Sequence, residues 1–138
     1  MRQYYFGKLR ETASAEGKQV EWLALTADGK ALATSSADGA IAAWDLGPPK
    51  RRFKIDPHIG TVNGVRISFD GKVLAAGGTN GGGLWRFSDG ALLAGIDGDM
   101  SAIQFSPNGR TLAAVISSSG NDQREIRLWR LKWVESGK

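Results

Sequence analysis

Apolar and polar residues alternate with a period of two through most of this chain, in short bursts bounded by Gly, Asp and Asn. Val20–Thr26, Ala31–Ser36, Ala40–Leu46, Val62–Phe69, Val73–Gly77 and Thr111–Ser117 are such bursts, and the pattern predicts strands rather than helices. No window of 11 residues keeps a 3.6-residue apolar period better than alternation. Asp28-Gly29, Asp70-Gly71 and Asn108-Gly109 predict hairpin turns, because each pair tolerates the positive φ that a tight turn demands. Leu84–Phe87, Ala91–Ile96, Met100–Ser106 and Arg124–Leu131 complete the strand set, with Lys50–Ile55 charged on one face. Arg2–Leu9 is β-prone through Tyr4, Tyr5 and Phe6. The glycine run Gly77–Gly83 reads as a tight turn between strands.

The bursts repeat. ALATSSADGAIAAWDL at Ala31–Leu46 returns as KVLAAGGTNGGGLWRF at Lys72–Phe87 and as TLAAVISSSGNDQREIRLWRL at Thr111–Leu131. The Asp/Asn-Gly turns lie 42 and 38 residues apart, and Trp44, Trp85 and Trp129 lie 41 and 44 apart. Several strands in a period near 40 residues predict the blades of a β-propeller. The expected fold is all-β: three four-stranded antiparallel units forming a partial propeller that another chain completes. One domain, 1–138, divides into an N-terminal outer strand and loop (1–19), blade 1 (20–55), blade 2 (56–97), an incomplete blade 3 (98–133) and a tail (134–138).

Blocks such as SADGAIAAWDL resemble the WD-repeat family, and the resemblance runs from about residue 15 to 131. It implies a hydrogen-bonded set in each blade: a His before the first inner strand, a Ser or Thr in the second, an Asp in the next turn and the Trp of the third. Such a set exists because a buried indole N–H or carboxylate needs a partner once water is excluded. By this resemblance blade 1 supplies Thr34, Asp38 and Trp44, with Glu16 where His would stand. Blade 2 supplies His58 and Trp85, with Ala76 for the hydroxyl residue and Asn80 for the Asp. Blade 3 keeps Trp129, has Ala114 and Ile96 for Ser and His, and carries an insertion around Asn121-Asp122. No blade has the whole set.

Propellers have about four to eight blades, and three repeats leave both ends open. The resemblance implies that an N-terminal outer strand, here Arg2–Leu9, completes the last blade. Three arrangements follow: a homodimer forming a six-bladed ring, a chain that completes another partial propeller, and a fragment of a longer WD-repeat protein. A two-fold dimer satisfies both open ends at once.

Composition narrows the function. There is no Cys, so disulfides, thiolate metal sites and cysteine nucleophiles are excluded, and a single His58 rules out a multi-histidine metal site within one chain. Apolar runs are too short to span a bilayer, and MRQYYFGKLRE is not a signal peptide; a cytoplasmic location is expected. The net charge of +4 owes much to Lys50, Arg51, Arg52 and Lys54. These read as a charged edge strand that deters aggregation, with an anionic or nucleic-acid partner as the alternative, joined by Arg124, Arg127, Arg130 and Lys132.

Catalytic patterns are missing. Gly77–Gly83 lacks the Lys and the helix of a phosphate loop, no GxSxG elbow occurs, and Asp97-Gly98-Asp99 is a turn rather than a calcium loop. No catalytic residue, cofactor or metal ligand is therefore expected, and the chain reads as a non-enzymatic interaction module. The resemblance places partners on the loops before the first and after the second inner strands, which nominates Glu21, Asn63, Asn80, Asp99 and Asn121. Trp22 is expected to pack in the core. Trp133 is expected either to pack on the last blade or to anchor a partner.

Overall fold

A computed structural model describes residues 19–117 and 123–132, together with residues 3, 7 and 8. The described residues form three antiparallel sheets. The first is β1 (Val20–Leu25), β2 (Ala31–Ser36), β3 (Ile41–Asp45) and β4 (Lys50–Ile55), paired in that order. The second repeats it with β5 (Val62–Ile67), β6 (Val73–Gly78), β7 (Gly81–Arg86) and β8 (Leu92–Ile96). The third has β9 (Asp99–Phe105), β10 (Thr111–Ser117) and β11 (Arg124–Arg130). β5 packs against both β1 and β9, so the first strand of each sheet lies nearest a common axis. This is the radial arrangement of propeller blades. No helix among the described residues is long and apolar enough to cross a membrane.

One local device starts each blade. The first turn reads Thr-Ala-Asp-Gly, Ser-Phe-Asp-Gly and Ser-Pro-Asn-Gly. In each, the Asp or Asn Oδ1 accepts from the hydroxyl two residues back and from the N–H two residues on. The distances are 2.7 and 2.9 Å at Asp28, 2.6 and 3.1 Å at Asp70, and 2.7 and 2.9 Å at Asn108. The following Gly29, Gly71 and Gly109 stand at φ of 71°, 75° and 71°, where a side chain would be strained.

The core lies between the sheets rather than within any one of them. Ala31, Ala33, Ile41 and Ala43 of blade 1 pack on Leu74, Ala76 and Trp85 of blade 2. The opposite face of blade 2, with Val73, Ala75 and Leu84, packs on Leu112, Ala114 and Ile116 of blade 3, with Trp129 at the margin. Side chains alternate across a strand, so each blade has one face for the neighbour before it and one for the neighbour after.

Two expectations are corrected. The glycine run is strand, not loop: β6 ends at Gly78, β7 begins at Gly81, and only Thr79-Asn80 turns. Tertiary packing explains it. A Cβ on Gly78 would lie 2.4 Å from the Ile59 carbonyl oxygen, and one on Gly82 would lie 2.8 Å from the Met100 sulfur. Trp22 is not core but 42% exposed: it stands in register with Ser35, on β1, which has a hydrogen-bonded neighbour on one side only. The nominated outer strand Arg2–Leu9 lies largely outside the described residues, as do Glu16, the Asn121-Asp122 insertion and Trp133.

Candidate partner-docking face

The loops at one end of the sheets are tied into a continuous surface. Asn80 donates its N–H to the Ile59 carbonyl (2.8 Å), Thr79 to that of Thr61 (3.0 Å), and Thr61 returns its N–H to the Thr79 hydroxyl (3.1 Å). The β4–β5 loop and the β6–β7 turn therefore move as one. A Cβ on Gly39 would touch the Gly60 carbonyl at 3.3 Å, so the β2–β3 turn abuts the same loop. Ala37 N–H to the Gln19 carbonyl (2.9 Å) brings in the start of β1.

Of the nominated residues, Glu21 is exposed at a bulge of β1 and Asn80 is exposed at the tip of its turn. Asp99 opens β9, half-buried opposite Ser117. Asn63 is committed inside the protein: its amide donates to the Met100 carbonyl at 2.8 Å and joins blade 2 to blade 3. Asn121 lies outside the described residues.

The blade anchors differ from one another. Trp44 Nε1 donates to Thr34 Oγ1 at 3.1 Å, one register step along the hairpin from its direct neighbour Leu32. The same step from Trp85 leads to Ala76 and from Trp129 to Ala114, neither of which can accept. Asp38 accepts from the Ser36 hydroxyl (2.8 Å) and the Ala40 N–H (3.1 Å), fixing the β2–β3 turn. His58 departs from the implied set. Its backbone sits at φ 55° and its side chain is 85% exposed, 3.8 Å from Asp56, so it faces solvent and takes no part in a buried network.

At the opposite end, the sequence left a cleft unforeseen. About 700 Å³ lies between the first turns of blades 1 and 2, bordered by Asp28, Lys30, Asp45, Arg52, Phe69 and Phe87 among others. Phe69 stands 69% exposed there. The legible signal was that Phe69 occupies the turn position held by Ala27 and Pro107 in the other two blades. Arg52 is a structural strap: its guanidinium binds Asp45, donates to the Phe87 carbonyl at 3.1 Å and lies 4.8 Å above the Phe87 ring. Of the basic run, only Lys50, Arg51 and Lys54 are exposed, while Phe53 and Ile55 pack on the core.

Carboxylates in the turns are held ionised. Asp28 lies below the usual aspartate range through the Lys30 N–H and the Thr26 hydroxyl, and Asp70 through the Ser68 hydroxyl and the Lys72 N–H. Asp89 is lowered by its hydrogen bonds from Arg86 and from the Ala91 N–H, and Arg86 is raised in return. All three are turn devices and none faces a second titratable group poised for proton transfer. Among the described residues, no three of His, Cys, Asp and Glu converge as metal ligands.

The family model for the WD domain, G-beta repeat, matches residues 7–45 and 49–82. The chain belongs to the WD-repeat family. It is similar to the small ribosomal subunit protein RACK1y of Oryza sativa subsp. japonica, 32% identical over 104 residues, covering 73% of this chain and 29% of that protein. RACK1 of Caenorhabditis elegans gives 32% over 104 residues, 73% and 30%. The uncharacterized WD repeat-containing protein sll1491 of Synechocystis gives 34% over 110 residues, 78% and 30%. The chain thus spans about three-tenths of the length of these WD-repeat relatives. Among solved structures, the hydrazine synthase of Kuenenia stuttgartiensis superposes with a TM-score of 0.69 at 22% identity, covering 81% of this chain and 34% of that one. At that identity the likeness concerns the fold alone.

Proposed function

We propose that this single WD-repeat domain is a non-catalytic protein–protein interaction module, whose partner docks on the loop end bearing Glu21, Asn80 and Asp99, together with Asn121. The observation that carries the reading is the bonding of the β4–β5 loop to the β6–β7 turn. It presents exposed polar side chains on a backbone already ordered, so docking loses little conformational entropy. Two relatives bear the name of a ribosomal subunit protein, which fits an assembly role and a cytoplasmic address. The propeller ring is completed from beyond these three blades, by a second copy, by another partial propeller, or by further blades of a longer polypeptide.

Comparative cross-linking tests the docking face. Partners recovered with the parent chain should be lost with Glu21→Ala/Asn80→Ala and kept with Lys50→Ala/Lys54→Ala. The reverse result would move the interface to the outer strand. The second reading, an anionic or nucleic-acid partner, rests on exposed Lys50, Lys54, Arg124 and Arg130. It requires retention on DNA or heparin that falls steeply with salt, and no retention at low salt would end it.

A further inference from the structure

The cleft between the first turns of blades 1 and 2 already holds one guanidinium. Arg52 binds the Asp45 carboxylate and lies 4.8 Å above the Phe87 ring, so a flat cation rests on an aromatic face with a carboxylate at its edge. The same cleft carries a second set of these groups. Phe69 stands 69% exposed, and Asp28 and Asp70, one from each blade, border the space. Each carboxylate spends Oδ1 on its own turn, and those bonds hold it ionised. Neither is in an ion pair among the described residues. Lys30 is the remaining charge on the lining, and it is its backbone N–H that Asp28 binds. The turn does not call for the ring. Ala27 and Pro107 hold the same position in the other two blades, whose turns close with the same bonds, and an aromatic side chain left in water contributes little to folding. Nor does the repeat dictate the acidity. At the next joint the corresponding positions are Arg86 for Asp45, Pro107 for Phe69 and Asn108 for Asp70. Both blades that wall the cleft have all four strands, so its shape is independent of how the ring is closed.

We propose that this cleft receives an arginine side chain from a basic segment of a partner protein. The guanidinium stacks on Phe69 as Arg52 does on Phe87, and donates to the Oδ2 atoms of Asp28 and Asp70 that the turns leave unused. Arginine suits the place better than lysine, because its planar fork offers several donors while its flat face covers a ring. The space of about 700 Å³ falls within the range of about 300–1,000 Å³ usual for ligand sites, enough for the side chain and the backbone that carries it. The cleft lies at the end opposite the polar loops. It therefore stands or falls separately from the docking face, and it lets one chain hold two partner segments at once.

The test is an NMR titration of the full chain with three capped tripeptides. One carries arginine between two alanines, the second carries citrulline, which keeps the shape without the charge, and the third carries glutamate. The arginine peptide should shift the amide signals of residues 26–30 and 68–72 in a saturable way, while those of residues 59–61 stay unmoved. The citrulline peptide should bind roughly tenfold or more weakly, and the glutamate peptide should leave both turns unmoved. Phe69→Ala should lose the binding at an unchanged melting temperature, because the ring is exposed. Asp70→Asn should weaken it about threefold or more on an intact turn, since Asn108 serves that role in blade 3. Unmoved signals at both turns overturn the proposal. So does equal binding of arginine and citrulline, which would make the cleft an apolar groove, and so does full binding by Phe69→Ala. Shifts at the two turns on concentrating the chain alone would give the cleft to a second copy and overturn it as well.

Discussion

Blades 1 and 2 share a topology and a turn signature, yet they are held in different ways. Blade 1 uses a polar tie, the Trp44 indole on the Thr34 hydroxyl, on a face that is only half-buried. Blade 2 lacks the hydroxyl and is buried along all of β6 and nearly all of β7, its glycines admitting Met100 and the Ile59 backbone to close contact. A repeat in the middle of the arc thus gains its stability from packing on both faces. This explains how the family signature can thin out in blade 2 without loss of the fold.

The comparison breaks most sharply at Gly78. A methyl group there would meet the Ile59 and Thr61 carbonyl oxygens at 2.4 and 2.6 Å, both backbone and unable to swing away. Gly78→Ala should cost about 2–3 kcal/mol, read as a fall in the urea midpoint with little change in slope. Thr34→Val keeps the shape but removes the acceptor from Trp44. Water can reach this half-buried pair, so the loss should be about 1 kcal/mol or less. A loss as large as that at Gly78 would mean the polar tie carries more of blade 1 than its exposure suggests. Ala76→Ser sharpens the contrast from the other side. It places a hydroxyl one register step from Trp85, where Thr34 stands relative to Trp44. A gain of about 0.5 kcal/mol is expected if the indole takes it up, and destabilisation would show that blade 2 has no room for a polar anchor.

The smallest effect concerns acid. Asp28, Asp70 and Asp89 titrate lower in the folded chain than unfolded. Their contribution is present above the ordinary aspartate range and is lost as pH falls through the folded values, where the unfolded chain binds more protons. Stability should be level between neutrality and about pH 5, then decline below about pH 4. Asp70→Asn should flatten part of that decline, since Asn108 shows that an amide oxygen serves the same turn. An unchanged acid slope in that variant would assign the pH dependence elsewhere.

What the sequence conveyed well was whatever is local or repeated. The Asp-Gly and Asn-Gly turns, the alternation of β2 and β10, and the tryptophan spacing all follow from short-range chemistry. Tertiary contacts overrode local preference elsewhere. Gly77–Gly83 has the composition of a loop, and only the approach of Met100 and Ile59 makes it strand. Asn63 looks like a surface amide until β9 brings the Met100 carbonyl to it. His58 matched the family position, but its left-handed backbone turns the ring outward. The cleft beside Phe69 joins two turns 42 residues apart, a proximity that no single turn reveals.

The Arg52 strap has a mechanical corollary. It crosses from the outermost strand of the first sheet to the end of the third strand of the second, far from the axis. The only comparable polar crossing to the third sheet, among the described residues, is the Asn63 bridge close to the axis. One joint is thus latched at its rim and the other pinned at its hub. Under a prying load the first pair of sheets should travel together, and the third should swing open about the hub like a door on its hinge.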